Sequence, residues 1–131
     1  MAQAKAPVRP LSPHIQIYRW TWTMMMSILH RATGIALYLG TVLVAIWLLS
    51  MASGPAAYER ASWFFGSIIG RLILFGYTWA LLHHMIGGVR HLFWDFGYGM
   101  EPGTRMQMAR ATLIASVVLT VLIWAVALLM R

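Results

Sequence analysis

The chain has 131 residues, of which 60% are hydrophobic and only 10% charged, with no cysteine and a formal net charge of +7. So little charge cannot cover the surface of a soluble domain of this size, which makes the chain an integral membrane protein. The absence of cysteine excludes disulfides, thiolate-bound zinc and iron–sulfur clusters held by this chain. The basic residues are not gathered on one solvated face, which argues against a nucleic-acid partner.

Residues 1 to about 21 read as a polar arm, in which Pro7, Pro10 and Pro13 discourage a continuous helix. The arm has no apolar core after its positive charges, as a secretory signal would. It also lacks the Arg- and Ser-rich amphipathic look of an organelle transit peptide. Trp20 and Trp22 fall where an interfacial aromatic belt is expected. A first membrane span follows over about 24–51 and ends at Ser53-Gly54-Pro55. A second helix is expected from near Tyr58 to about Phe93, with its spanning part over about 62–93. The excess length suggests tilt or an interfacial first turn. Gly97, Gly99, Pro102 and Gly103 punctuate the next connection, and a third span covers about 108–130. Each span is near the roughly 20 residues that a helix needs to cross about 30 Å of hydrocarbon. No alternating ten-residue segments point to a barrel. The expectation is a single all-α membrane domain with three transmembrane helices, no internal repeat, and a third helix that is plain scaffold without a polar stripe.

Charge sets the orientation. Lys5, Arg9 and Arg19 precede the first span, and Arg90, Arg105 and Arg110 border the second connection, whereas the first connection holds only Arg60. By the positive-inside rule the N-terminus and second connection face the cytoplasm or matrix, and the C-terminus lies on the far side. Arg71, near the outer end of the second helix, is expected to snorkel to that interface.

Polar residues inside the spans carry the functional signal, because ionisable groups there are costly and usually face a bundle interior, a cavity or a bound group. Ser27, His30 and Arg31 lie near the inner end of the first span, and His84, Arg90 and His91 approach the same surface from the second. His84, Gly88 and His91 follow i, i+4, i+7 spacing and share a face, with His84 about 10 Å deeper than His91 at 1.5 Å per residue. His83 points roughly 100° away, so the adjacent histidines cannot serve one site. Gly87 and Gly88 clear a surface on which a flat group or a partner helix could lie. An imidazole in that setting suits haem iron, and equally suits a hydrogen bond to a neighbouring helix. Ser27 and Arg31 are four apart and could donate together to one acceptor, such as the carbonyl of a small headgroup, while His30 could serve an adjacent group. Their alternatives are a hydroxyl bonded to its own backbone and cations on lipid phosphates. Asp95 is expected to pair with Arg90 or cap local backbone.

The string RPLSPHIQIYRWTWTMMMSILHRATG, from Arg9 to Gly34, resembles the opening signature of the cytochrome b subunits of succinate dehydrogenase. HMIGGVRHLFWDFG, from His84 to Gly97, resembles the second-helix signature of the same family. Together they cover about a third of the chain, in the family's order and without departure at the key positions. The resemblance implies a membrane anchor of a four-subunit succinate:quinone oxidoreductase, in which a flavoprotein subunit oxidises succinate and an iron–sulfur subunit passes electrons to the membrane. It implies that this chain and a second hydrophobic anchor subunit hold b-type haem and ubiquinone. His84 matches the axial ligand to haem iron, the second ligand coming from the partner anchor. His30 and Arg31 match residues at the haem propionates, with His91 nearby, and Ser27 and Arg31 match the quinone pocket. The arm is most similar to mitochondrial and alphaproteobacterial members, and its lack of transit-peptide character favours a bacterial inner membrane, with the N-terminus cytoplasmic and the C-terminus periplasmic. The alternatives are the anchor of a fumarate reductase, a small transporter or channel subunit, and a purely structural anchor bound to lipid.

Overall fold

A computed structural model describes residues 19–130, and among these residues all regular structure is helical. The expected polar arm, with its prolines, Lys5 and Arg9, lies outside the described residues apart from its last positions, as does Arg131. Four helices follow: α1 (Trp22–Ala52), α2 (Pro55–Gly66), α3 (Ile68–Asp95) and α4 (Pro102–Leu129). Helices α1, α3 and α4 are each long and apolar enough to cross a membrane. Three helices that could span a membrane are therefore present, as the apolar runs of the sequence predict.

The helix boundaries follow local chemistry. Thr21 caps α1, its hydroxyl oxygen accepting the Met24 N–H at 3.3 Å. Gly54 takes a φ of +99° between α1 and α2, a conformation that glycine adopts without a Cβ penalty, and Pro55 then opens α2 where its missing N–H costs nothing. Gly97 and Gly99 make the turn out of α3 with φ of +80° and +75°. Pro102 starts α4 several residues before the expected span, so that helix extends past the apolar stretch at its N-terminal end.

The expected second helix, running unbroken from near Tyr58 to Phe93, is divided in two. Ser67 has an extended ψ of 163°, and its hydroxyl oxygen accepts the Gly70 N–H at 3.1 Å, capping α3. The Ser67 N–H turns back to the carbonyls of Trp63 and Phe64, each at 3.1 Å, closing α2. A Cβ on Gly70 would strike the Phe64 carbonyl oxygen, so the close return of α3 onto the end of α2 depends on that glycine. Arg71 thus lies in the first turn of α3 and is exposed, consistent with a side chain reaching the interface.

Small residues bring the spans together. On α4, Ala109, Thr112, Ser116 and Thr120 are buried and recur at three- and four-residue steps, placing a stripe of small side chains against α3. On α1, Met26, Thr33 and Gly40 are buried at steps of seven, and Gly40 lies under the Tyr77 ring of α3. Large apolar side chains are mostly on the outside, as a lipid solvent permits.

Candidate functional site

The N-terminal half of α1 and the C-terminal half of α3 interlock through two histidines. The His84 ring sits against α1 at Gly34, where a Cβ would come within 2.9 Å of its Cε1 atom. The His30 ring sits against α3 at Gly87, where a Cβ would strike the ring. The two imidazoles stack with centroids 4.1 Å apart and planes 12° from parallel. Each also bonds the other's backbone: His84 Nδ1 lies 3.0 Å from the His30 carbonyl oxygen, and His30 Nε2 lies 3.2 Å from the His84 carbonyl oxygen. A carbonyl oxygen only accepts, so both of these ring nitrogens carry the hydrogen. In the neutral His84 ring this leaves Nε2 with the lone pair, and among the described residues Nε2 makes no hydrogen bond. Thr33 reinforces the arrangement by donating to the same His30 carbonyl at 2.9 Å.

His91 joins this cluster, its ring 5.2 Å from that of His30 and edge-on to Trp94 at 4.9 Å. Three of the sequence-derived site residues, His30, His84 and His91, therefore converge. Ser27 and Arg31 form their own pair one turn along α1, with Arg31 Nη2 donating to Ser27 Oγ at 3.2 Å. That bond uses a lone pair of Ser27, whose own hydrogen remains able to point elsewhere. Arg31 is exposed and Ser27 half-buried, so this pair faces away from the bundle. A groove of about 260 Å³ beside it is apolar, lined by Trp20, Trp22, Met25, Met26, Leu29 and Leu113 among others, and neither Ser27 nor Arg31 lines it.

Three expectations need correction. Gly87 leaves no room for a flat group: of the two expected occupants it is a neighbouring helix, α1, whose His30 ring fills that notch, while Gly88 next to it meets nothing within 4 Å among the described residues. Arg90 does not pair with Asp95. It is only 5% exposed, its guanidinium carbon lies 5.1 Å from the centre of the Trp94 ring, and its Nε has no hydrogen-bond partner among the described residues. Position explains this, since Arg90 lies seven residues beyond His83 and so shares that residue's face of α3, turned from the His84 face.

The third correction concerns α4, which is not plain scaffold. His83, only 1% exposed, points from α3 into the α4 seam and meets Ser116, Nδ1 to Oγ at 3.2 Å. Ser116 itself donates to the Leu113 carbonyl, so its oxygen accepts from His83 Nδ1–H. Thr112 and Thr120 likewise donate to their own helix, to the Met108 and Ser116 carbonyls. A buried hydroxyl stripe is thus present, but its hydrogens are spent on backbone rather than aligned along a path. The four-residue spacing of 112, 116 and 120 carries this stripe in the sequence, where its small polar residues are diluted among Leu, Val and Ile. Among the described residues, no three metal-ligating side chains converge on a point, so a metal held here would need ligands from beyond the chain.

Known proteins agree with this architecture. Residues 5–123 match the family described as succinate dehydrogenase/fumarate reductase transmembrane subunit. The succinate dehydrogenase cytochrome b556 subunit of Paracoccus denitrificans is 43% identical over 122 residues, covering 93% of this chain and 94% of its own. The corresponding subunit of Rickettsia felis is 34% identical over 116 residues, 88% of this chain and 90% of its own. The mitochondrial cytochrome b560 subunit of Bos taurus is 39% identical over 118 residues, 86% of this chain and 68% of its own. With three apolar spans, a matching profile over nearly the whole length and relatives of this similarity, the chain belongs to the family of succinate dehydrogenase and fumarate reductase transmembrane subunits.

Proposed function

We propose that this chain anchors a succinate:quinone oxidoreductase in a bacterial inner membrane, binding b-type haem through His84 and contributing Ser27 and Arg31 to a ubiquinone-reduction site. Succinate dehydrogenase rather than fumarate reductase is favoured by the relatives, which carry the succinate dehydrogenase name at both bacterial and mitochondrial ends of the similarity. Its partners are a second hydrophobic anchor subunit, an iron–sulfur subunit and a flavoprotein subunit, with the N-terminus cytoplasmic and the C-terminus periplasmic.

One observation carries the haem assignment: the His84 Nδ1–H is held by the His30 carbonyl, and Nε2 makes no hydrogen bond among the described residues. That is the donor set a ligand imidazole needs, because an acceptor on one ring nitrogen fixes the tautomer and directs the other towards metal. Bound haem supplies a one-electron carrier beside the quinone site. A second ligand to the iron would come from the second anchor subunit. Arg31 and His91, both exposed and flanking His30 at the same end of the helix pair, would offer haem propionates cationic or hydrogen-bonding side chains, whereas the Nε2–H of His30 is already held by the His84 carbonyl.

Quinone reduction places negative charge on carbonyl oxygens before protons arrive. The Arg31 guanidinium and the Ser27 hydroxyl, already bonded to each other at 3.2 Å, form a donor pair whose remaining hydrogens can stabilise that charge. Because this pair faces outward, the pocket is completed by a neighbouring subunit. The apolar groove lined by Trp20, Met25 and Leu29 offers a surface for a hydrophobic substrate close by.

The test is a set of single variants in the assembled complex. His84→Ala should abolish or strongly weaken the reduced low-spin b-type haem spectrum, and normal haem content in that variant refutes the ligand assignment. Ser27→Ala and Arg31→Ala should lower succinate:quinone reductase activity on the order of a hundred- to a thousand-fold. Succinate oxidation by a soluble acceptor should be unaffected, and unchanged quinone kinetics in both variants remove the quinone assignment.

A further inference from the structure

We propose that His30 is a positioning residue that sets the ring plane of His84, and that Gly87 is the notch that lets it do so. This rests on the reading of His84 as a haem ligand and adds a role for two residues that act through it. The geometry is reciprocal. His84 is gripped by the backbone carbonyl of His30, and its face is covered by the His30 ring at 4.1 Å. The His30 ring is in turn fixed from two sides, by its Nε2–H on the His84 carbonyl and by the floor that Gly87 provides. A methyl at position 87 would strike the His30 imidazole, a side chain able to swing aside, rather than backbone. The helices can therefore stay packed while the ring leaves its seat. Once it leaves, His84 keeps one hydrogen bond but loses the stacked wall that stops rotation about its Cβ–Cγ bond. Second-shell partners of this kind orient a metal-ligating imidazole and account for about 10- to 100-fold in metal affinity.

The relevant experiment is a double-mutant cycle in the assembled membrane complex, comparing Gly87→Ala, His30→Ala and the pair with the parent. Haem retained per complex is measured together with the low-field electron paramagnetic resonance position of the oxidised low-spin haem. That position responds to the orientation of the His84 ring relative to the second ligand, which the loss of a propionate contact alone would leave in place. Gly87→Ala should shift the resonance and reduce retained haem about ten-fold. The same substitution should have no further effect once His30 is Ala, because the notch matters only through the ring it seats. An unshifted resonance in Gly87→Ala, or an undiminished effect of Gly87→Ala in the His30→Ala background, overturns the proposal. His30→Ala removes atoms without adding any, so it supplies the reading if Gly87→Ala does not assemble, and an unchanged resonance there also overturns it. Failure of the underlying ligand assignment looks different, since it leaves haem normal in His84→Ala.

Discussion

His83 and Ser116 satisfy one another across the α3–α4 seam, and neither reaches lipid. The acceptor on Ser116 is the only hydrogen-bond partner His83 has among the described residues, because its Nε2 is buried without one. Removing the Ser116 oxygen strands a buried N–H, at a cost of about 1–3 kcal/mol. Ser116→Ala should accordingly lower the thermal midpoint of the solubilised complex while leaving the haem spectrum intact, since His84 stands on the opposite side. An equal midpoint in differential scanning measurements would show that His83 finds another partner. At this scale the sequence was informative about face and less so about partner. The 100° between neighbouring helical positions separates His83 from His84, as found. Which small residue on a distant helix meets His83 depends on the rotation of α4, which no local spacing encodes.

At the scale of elements, the break at Ser67 decides where α3 begins and hence where its inner end lies. The capping oxygen of Ser67 and the absence of a side chain at Gly70 cooperate there. Gly70→Ala places a methyl against the Phe64 carbonyl, a backbone atom that cannot step aside. The substitution should destabilise the chain by about 1–3 kcal/mol, the usual cost of overpacking. It should be read as a lower melting temperature or as protease sensitivity appearing between α2 and α3. Unaltered stability and cleavage pattern would mean that the two helices separate freely. The sequence supports continuity here, because Tyr58 to Phe93 has no proline and Gly66-Ser67 alone is a weak stop signal. Where the cap forms, tertiary return of α3 onto α2 outweighs the small preference for an unbroken helix.

For the whole molecule, charge asymmetry and three spans define a topology that cysteine labelling can test cleanly, because the chain has no cysteine of its own. A cysteine at Tyr98, in the connection before α4, should react with an impermeant maleimide only from the cytoplasmic side. One at Ser53, between α1 and α2, should react only from the periplasmic side. The reverse pattern would invert the orientation and move the histidine cluster to the outer surface. The histidines gather at one end because α1 and α3 run in opposite directions: the N-terminal half of α1, with His30 and Arg31, meets the C-terminal half of α3, with His84 and His91.

Composition placed the chain in a membrane, because 60% hydrophobic residues with 10% charge do not suit water, and three continuous apolar runs without alternating segments made it helical. The period of the helix then sorted His84 and His91 from His83, and the motifs between Arg9 and Gly97 indicated the family. Only the tertiary structure decided that His30 occupies the Gly87 notch and that its carbonyl holds the His84 Nδ1–H. It also decided that Arg90 turns to Trp94 and that Ser116 answers His83. Periodicity fixes which residues share a side of one helix. The rotation and depth at which two helices meet come from close packing of small residues on both, and that pairing is not written in either helix by itself.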